Sequence, residues 1–243
     1  MKNLKILLIG YGKMGHEIEK MALTKSHHII GIIDQKTDWE KNAKILDQVD
    51  VAIDFSIPNE AIYNISRCRE LELPLVIGTT GWHHEKEKVK EETVKHKASL
   101  LWASNFSLGV NILFHFNKTL AEVMSRFPDY KVQIHEIHHD QKLDAPSGTA
   151  ISLADDIIHV HPPLKDWYLK ENGEIKEEGL PITYERIGLV PGTHIIKYQS
   201  DIDEISVKHE AKNRKGFAKG AVLAAEWLVG KKGFFEMKDV LGF

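Results

Sequence analysis

The chain contains a single cysteine, Cys68, among 243 residues, so it can form no internal disulfide and no cysteine-rich metal centre. A reducing compartment suits that usage, with the thiol expected as a small buried hydrophobe. Neither sign of charge dominates: 32 basic against 35 acidic residues leave a formal net charge of -3, which argues against a nucleic-acid-coating surface or an acidic tail. Long hydrophobic runs are missing as well. The first apolar run covers only residues 6–9, too short for a signal-peptide core, and no run approaches the roughly 18 residues of a membrane helix. A soluble, cytoplasmic protein is expected, without internal repeats or low-complexity tracts. What is present is 42% hydrophobic residues, enough for a sizeable core in one large domain or two modest ones.

The first hundred residues alternate short apolar runs with helical stretches. Residues 6–9, 28–33, 49–55, 75–77 and 99–103 read as strands covered on both faces. Helices are expected at 13–24, at 59–71 with Ile62, Ile65 and Leu71 on one stripe, and at 85–97, whose charge density suits a solvated outer face. This alternation implies an α/β class with a doubly wound parallel sheet. After Asn105 the rhythm changes. Helices are expected over 110–127 and 147–159, a strand over 131–139, a loop from 161 to 179, and three strands around 183–187, 194–200 and 203–209. Consecutive strands suggest an open antiparallel or mixed sheet in a second, α+β domain, and a helix over 217–229 then closes the chain.

Gly10-Tyr11-Gly12-Lys13-Met14-Gly15 matches G-x-G-x-x-G between the first strand and its helix, and Asp34 ends the second strand nineteen positions past Gly15 (34 − 15 = 19). This is the Rossmann-type arrangement. Gly10 permits the tight turn, Gly12 lets the backbone approach a pyrophosphate, and Gly15 lets helix and strand pack closely, while the helix N-terminus offers amide donors. Strand, helix and acid in register favour a dinucleotide site over a bare glycine-rich turn. Gly78-Thr79-Thr80-Gly81 and Ala103-Ser104-Asn105-Phe106 follow the fourth and fifth strands, where ligands of open α/β sheets lie; ordinary turn chemistry explains each equally well. Asp34 can accept ribose hydroxyls but repels a 2′-phosphate, neutral Gln35 offers no compensation, and Lys36 is the adjacent cation, with Lys41 further on. NADH is therefore expected as the preferred cofactor, with NADPH tolerated.

His135-Glu136-Ile137-His138-His139 satisfies the H-E-x-x-H zinc-protease pattern, which works only on a helix. On a strand the outer histidines stand about 4 × 3.3, or roughly 13 Å, apart, so no metal is expected. What remains is His138, His139 and Lys142, followed by Pro146-Ser147-Gly148-Thr149 opening a helix. Proton donors thus stand beside an anion-binding helix N-terminus, an arrangement suited to a carboxylate substrate. The plainer alternative leaves these as surface polar groups and Ser147 as an ordinary N-cap. Their crowding after a nucleotide-binding domain favours a site.

With these residues in view, the chain resembles the dihydrodipicolinate reductase family along essentially its whole length. The resemblance is carried by the glycine fingerprint and by residues 78–82, 103–111, 136–150, 186–194 and 217–221, the 136–150 block being the most specific. It implies NAD(P)H-dependent reduction of 4-hydroxy-tetrahydrodipicolinate to tetrahydrodipicolinate in diaminopimelate and lysine biosynthesis. It also implies that His138 gives or takes a proton, that Lys142 donates one, and that His139, Gly148 and Thr149, with Ser147 at the same turn, bind the dicarboxylate. A homotetramer built through the substrate domain follows from the same likeness, as does a dinucleotide-binding domain of residues 1–107 with 213–243 around a substrate-binding and oligomerisation domain of 108–212. No nucleic-acid or membrane partner is expected. The chain departs from the family at Lys13, where an arginine is common, and in a first loop one residue shorter. Two other readings stay open: another small-acid dehydrogenase of the same architecture, which leaves the 138–149 block unexplained, and a catalytically silent nucleotide sensor.

Overall fold

The computed structural model describes residues 3–170, 175–213 and 215–243, and the chain divides into two compact units, Met1–Leu108 with Lys215–Phe243, and Gly109–Arg214. In chain order the first unit opens with β1 (Lys5–Ile9), α1 (Lys13–Thr24), β2 (His28–Ile33), α2 (Asp38–Lys41), β3 (Val51–Asp54), α3 (Pro58–Glu70), β4 (Leu75–Ile77), α4 (Lys86–Lys95) and β5 (Ser99–Trp102). Then come α5 (Leu108–Met124), β6 (Lys131–His138), α6 (Gly148–Val160), β7 (Asp166–Leu169), β8 (Gly179–Arg186), β9 (Thr193–Gln199) and β10 (Glu204–Glu210). α7 (Lys215–Leu228), β11 (Gly233–Phe235) and α8 (Met237–Leu241) return to the first unit.

Six parallel strands in the order β11-β5-β4-β3-β1-β2 form the first sheet. Apart from Lys5 and Asp54 at strand ends, its central strands are apolar because successive side chains leave the sheet on opposite faces and both faces are covered. Ile6, Leu8, Val51, Ile53 and Leu101 pack with Ile18 of α1 and Ala221, Ala225 and Leu228 of α7. Leu7, Ile9, Ala52, Leu75 and Ile77 pack on the other side with Ala61, Ile65 and Cys68 of α3. The buried face of α3 is therefore Ala61, Asn64, Ile65 and Cys68; Ile62 and Leu71, expected on the core stripe, sit only partly buried at its edge. Burial pushes the Cys68 thiol up, out of reach of ionisation. Gly220 of α7 lies against the Phe106 carbonyl so closely that a Cβ would fall 1.7 Å from its oxygen.

The second sheet is mixed, in the order β10-β9-β6-β8-β7: β9 is antiparallel to β10 and β6, whereas β8 is parallel to β6 and β7. Leu113, Ala121 and Met124 of α5 and Ala150, Leu153 and Ile157 of α6 close over Val132, Ile134, Leu180, Ile182, Ile196 and Tyr198. Three expectations are corrected. The stretch 161–179 contains a strand, β7, whose Trp167, Tyr168 and Leu169 stand between charged residues that mask them. β8 starts four residues before the expected 183, Pro181 included. The helix over 217–229 does not close the chain, since β11 and α8 follow and Phe234 and Phe235 pair with Leu100 and Leu101. Among the described residues no helix is long and apolar enough to cross a membrane.

Candidate active site

The glycine-rich turn leaves β1 at the point where the strand order reverses, between β1 and β3, the usual ligand position in such sheets. Gly10 has φ +82, and a Cβ on it would fall 2.6 Å from the Phe55 carbonyl oxygen; one on Gly15 would fall 2.6 Å from that of Gly10. At Gly12 a Cβ would meet nothing within 4 Å. Two glycines thus serve the chain's own packing and one leaves free space at the start of α1, whose first turn has no side-chain cap and no acidic residue. An anion's oxygens suit that end of a helix dipole. The Tyr11 N–H donates to Asp34 Oδ1 at 2.9 Å, which ties the turn to the carboxylate ending β2. Met14 packs into the core and Lys13 is exposed. Lys36 lies 3.1 Å from Glu60 Oε2 and 4.9 Å from the centre of the Tyr63 ring, both on α3.

The other two loops end β4 and β5 at the same edge of the sheet, but several of their side chains turn inward. Thr79 Oγ1 donates to Asp54 Oδ1 at 2.7 Å, and the Thr79 carbonyl accepts from Trp82 Nε1 at 2.7 Å. Asp54 is fully buried, and although Ser56 N–H and Asn64 Nδ2 also donate to it, burial raises its pKa. Phe106 stacks at a tilt on Phe55 with 5.5 Å between centres, inside the core, and Ala103 is buried. Asn105 Oδ1 accepts from Ser107 N–H at 2.8 Å. Gly78 makes a close approach to the Phe55 ring, while Thr80 and Ser104 are exposed. The side chains of Thr79 and Phe106 thus serve the fold.

In the second unit the block read from the sequence converges in part on Glu136. β6 alternates so that Ile134, Glu136 and His138 face inward, and register sets His194 of β9 opposite Glu136 and Arg186 of β8 opposite His138. Glu136 has no exposed surface. Its Oε2 accepts the Ser147 N–H at 3.0 Å, and Arg186 Nη2 reaches its Oε1 at 3.4 Å. Ser147 caps α6, its Oγ accepting from Ala150 N–H at 3.1 Å and lying 3.1 Å from His194 Nε2. Burial pushes His194 down to about 3, so the ring is neutral; His138 is lowered by burial too, with Glu136 opposing. Lys142 extends from the following loop to Asp144, with Nζ 2.7 and 2.6 Å from its oxygens. His139 is partly buried beside His138, Gly148 is exposed with nothing within 4 Å of a Cβ, and Thr149 follows it in the first turn of α6. His135 points to the opposite face, where Nδ1 lies 2.8 Å from Thr183 Oγ1.

Sequence spacing pointed to His138, His139, Lys142 and the Ser147-Gly148-Thr149 turn; of these, His138 and Ser147 meet the buried Glu136 carboxylate, His139 and Lys142 lie near enough to act on His138, and Gly148 and Thr149 follow Ser147 into α6. The sequence analysis does not single out Glu136, Arg186 and His194 as site residues; the inward parity of Glu136 with His138, and the resemblance carried by residues 186–194, are the signals that could have found them. Glu136, His138 and His194 also place three potential ligand atoms within 4.8 Å, but Glu136 Oε2 and His194 Nε2 are engaged with Ser147. Chemically, the arrangement offers a cation, a titratable ring and helix-terminal amides to an anionic substrate.

Comparison with known proteins identifies the family. Residues 4–106 match the family model described as dihydrodipicolinate reductase, N-terminus, and residues 109–241 match that of its C-terminus. The chain is 47% identical over 239 residues to the 4-hydroxy-tetrahydrodipicolinate reductase of Christiangramia forsetii, with 98% of each chain covered. It is 35% identical over 250 residues to the protein of that name from Staphylococcus aureus, covering 98% of this chain and 100% of the relative. The solved dipicolinate-bound dihydrodipicolinate reductase of Paenisporosarcina sp. TG-14 shares the fold, with a TM-score of 0.78 at 23% identity over 97% of this chain and 98% of its own. The chain belongs to the dihydrodipicolinate reductase family.

Proposed function

We propose that the protein reduces 4-hydroxy-tetrahydrodipicolinate to tetrahydrodipicolinate, using NADH in preference to NADPH. The observation that carries this reading is the Glu136–Ser147 hydrogen bond of 3.0 Å, which joins the strand bearing His138 to the start of α6. One carboxylate of the substrate takes the N–H groups of Gly148 and Thr149, where the dipole of α6 favours negative charge. His139 adds a polar contact, and Lys142 supplies positive charge and a proton. After water leaves the ring, the proton that completes the reduction comes from His138 or Lys142. The absorbance decay of NADH with freshly synthesised substrate tests the reading, and an inert protein refutes it.

Use of a nicotinamide cofactor goes with the family, and the first unit fits one: Gly12 leaves room for a pyrophosphate, the α1 amides receive it, and Asp34 keeps one oxygen for ribose. When bound, the nicotinamide supplies the hydride. The contacts proposed for Gly10 through Gly15, Gly78, Thr79, Thr80, Ala103, Ser104, Asn105 and Phe106 are largely backbone contacts. Preference for NADH is supported by Asp34 and by the engagement of Lys36 with Glu60 and Tyr63, which competes with capture of a 2′-phosphate. Comparing kcat/KM for the two cofactors at equal ionic strength decides it, because exposed pairs are screened by salt. Lys36→Ala should widen the gap and Gln35→Arg narrow it; higher kcat/KM with NADPH in the wild type refutes the preference.

Cytoplasmic action as a homotetramer completes the proposal. α5 and the turn after it expose Ile112, Phe116, Val123 and Phe127 at helical spacing, an apolar stripe that suits burial between copies. Sedimentation should show a tetramer; a wild-type monomer refutes that part.

A further inference from the structure

A carboxylate with no exposed surface persists only where donors surround it, and four elements converge on Glu136. The Ser147 N–H ahead of α6 donates to Oε2 at 3.0 Å, and Arg186 Nη2 at the end of β8 reaches Oε1 at 3.4 Å. His138 Nδ1, two residues along β6, stands 3.7 Å from Oε2, and His194 Nε2 on β9 stands 3.8 Å away. His194 Nε2 is already engaged by Ser147 Oγ at 3.1 Å, whereas His138 Nδ1 is buried with no hydrogen-bond partner. His138 is therefore the ring left to respond to Glu136. The other titratable and charged groups facing His138 are Lys142 and His139 of the following loop, Arg186 of β8 and His194 of β9, with His209 of β10 beside His194. Lys142, Arg186 and His139 all disfavour a proton on His138, as burial does; Glu136 alone favours one.

We propose that Glu136 is a positioning residue for the reduction: its buried carboxylate orients His138 through the Nδ1 edge and pins the Ser147 amide, so that the proton-transferring ring and the anion-receiving start of α6 keep one fixed spacing. The inference rests on the reductase reading above. With Nδ1 turned to Glu136, Nε2 is the atom that meets substrate. Gly192 keeps that edge clear, since a Cβ there would fall 3.1 Å from His138 Nε2.

The test compares the full-length wild type with Glu136→Gln, which keeps size and an acceptor for Ser147 but removes the charge, and with Glu136→Asp, which draws the charge back by one methylene. In Glu136→Gln, kcat/KM at neutral pH should fall about tenfold or more while NADH affinity stays within about twofold. Its alkaline limb should move to lower pH, because loss of the neighbouring negative charge makes His138 release its proton earlier. The NMR titration of His138, read without substrate, should shift in the same direction, and Glu136→Asp should lie between the two. If Glu136→Gln does not fold, the shift in Glu136→Asp decides. An unchanged His138 titration, or a loss of rate equal at every pH, overturns the proposal with the reductase reading intact; an inert wild type removes both.

Discussion

Lys142 and Asp144 form a two-pronged ion pair across a single intervening residue, and the Asp144 carbonyl accepts from Arg186 Nη2 at 2.8 Å, which anchors the pair to β8. The Lys142 ammonium holds the Asp144 carboxyl below its usual range. The pair therefore persists at neutral pH and is lost only as pH falls through that lowered value. In the proposed reaction Lys142 would exchange this carboxylate partner for one on the substrate.

Removing that cation should show directly in the rate. Lys142→Met and His138→Gln should each lower kcat by about 10² or more with NADH affinity kept, and the double variant should cost less than the product of the two. Initial rates at saturating cofactor provide the check. Near-normal kcat in both single variants would take these residues out of the chemistry.

Gly148 offers a separation of folding from binding. Because a Cβ there meets nothing in the chain, Gly148→Ala should change stability by less than about 1 kcal/mol, while the added methyl obstructs a carboxylate approaching the α6 amides. Pyridine-2,6-dicarboxylate should compete with substrate in the wild type and bind more weakly to the variant. Equal inhibition of both proteins counts against this subsite.

The three fingerprint glycines should fail in different ways. Gly15→Ala forces a Cβ to 2.6 Å from a backbone oxygen and should lower the melting temperature by several degrees, at roughly 2–4 °C per kcal/mol for a chain of this size. Gly10→Ala should do the same. Gly12→Ala should melt near the wild type yet bind NADH at least about tenfold more weakly, as fluorescence titration would reveal; unaltered binding would place the pyrophosphate elsewhere.

His194 sets part of the acid limit of stability. Its folded value of about 3 lies far below its ordinary 6.5, so the unfolded chain takes up a proton that the folded site refuses. Stability is lost as pH falls from about 6.5 toward the folded value, and burial of His138, His161 and His209 acts in the same direction. Melting curves between pH 7 and 4.5 should slope less steeply in His194→Gln than in the wild type. Parallel slopes would mean that His194 is protonated in the folded protein.

Strands covered on both faces leave unbroken apolar runs, which is why β1, β2, β4 and β5 were readable to within a residue. β7 was not, since Trp167, Tyr168 and Leu169 form too short a run between charges, and β8 was read late because Pro181 is a poor strand former. The same logic divides the site. His138, His139, Lys142 and Ser147 through Thr149 lie in one stretch of sequence, where spacing alone sets their company. Arg186 and His194 reach Glu136 only through the register of β8 and β9 on β6, a long-range property that no local pattern reports.

The return of α7 and β11 to the first sheet has a consequence for biogenesis. Until residues 215–243 leave the ribosome, the face of β1 and β3 that will meet Ala221, Ala225 and Leu228 stays wet, and β5 has an unpaired edge where β11 will lie. The inserted unit, contiguous in sequence, has all its strands in hand earlier. The first unit therefore matures last, and a ribosome stalled before α7 would display a nascent chain whose second unit is complete and whose first is a client for chaperones.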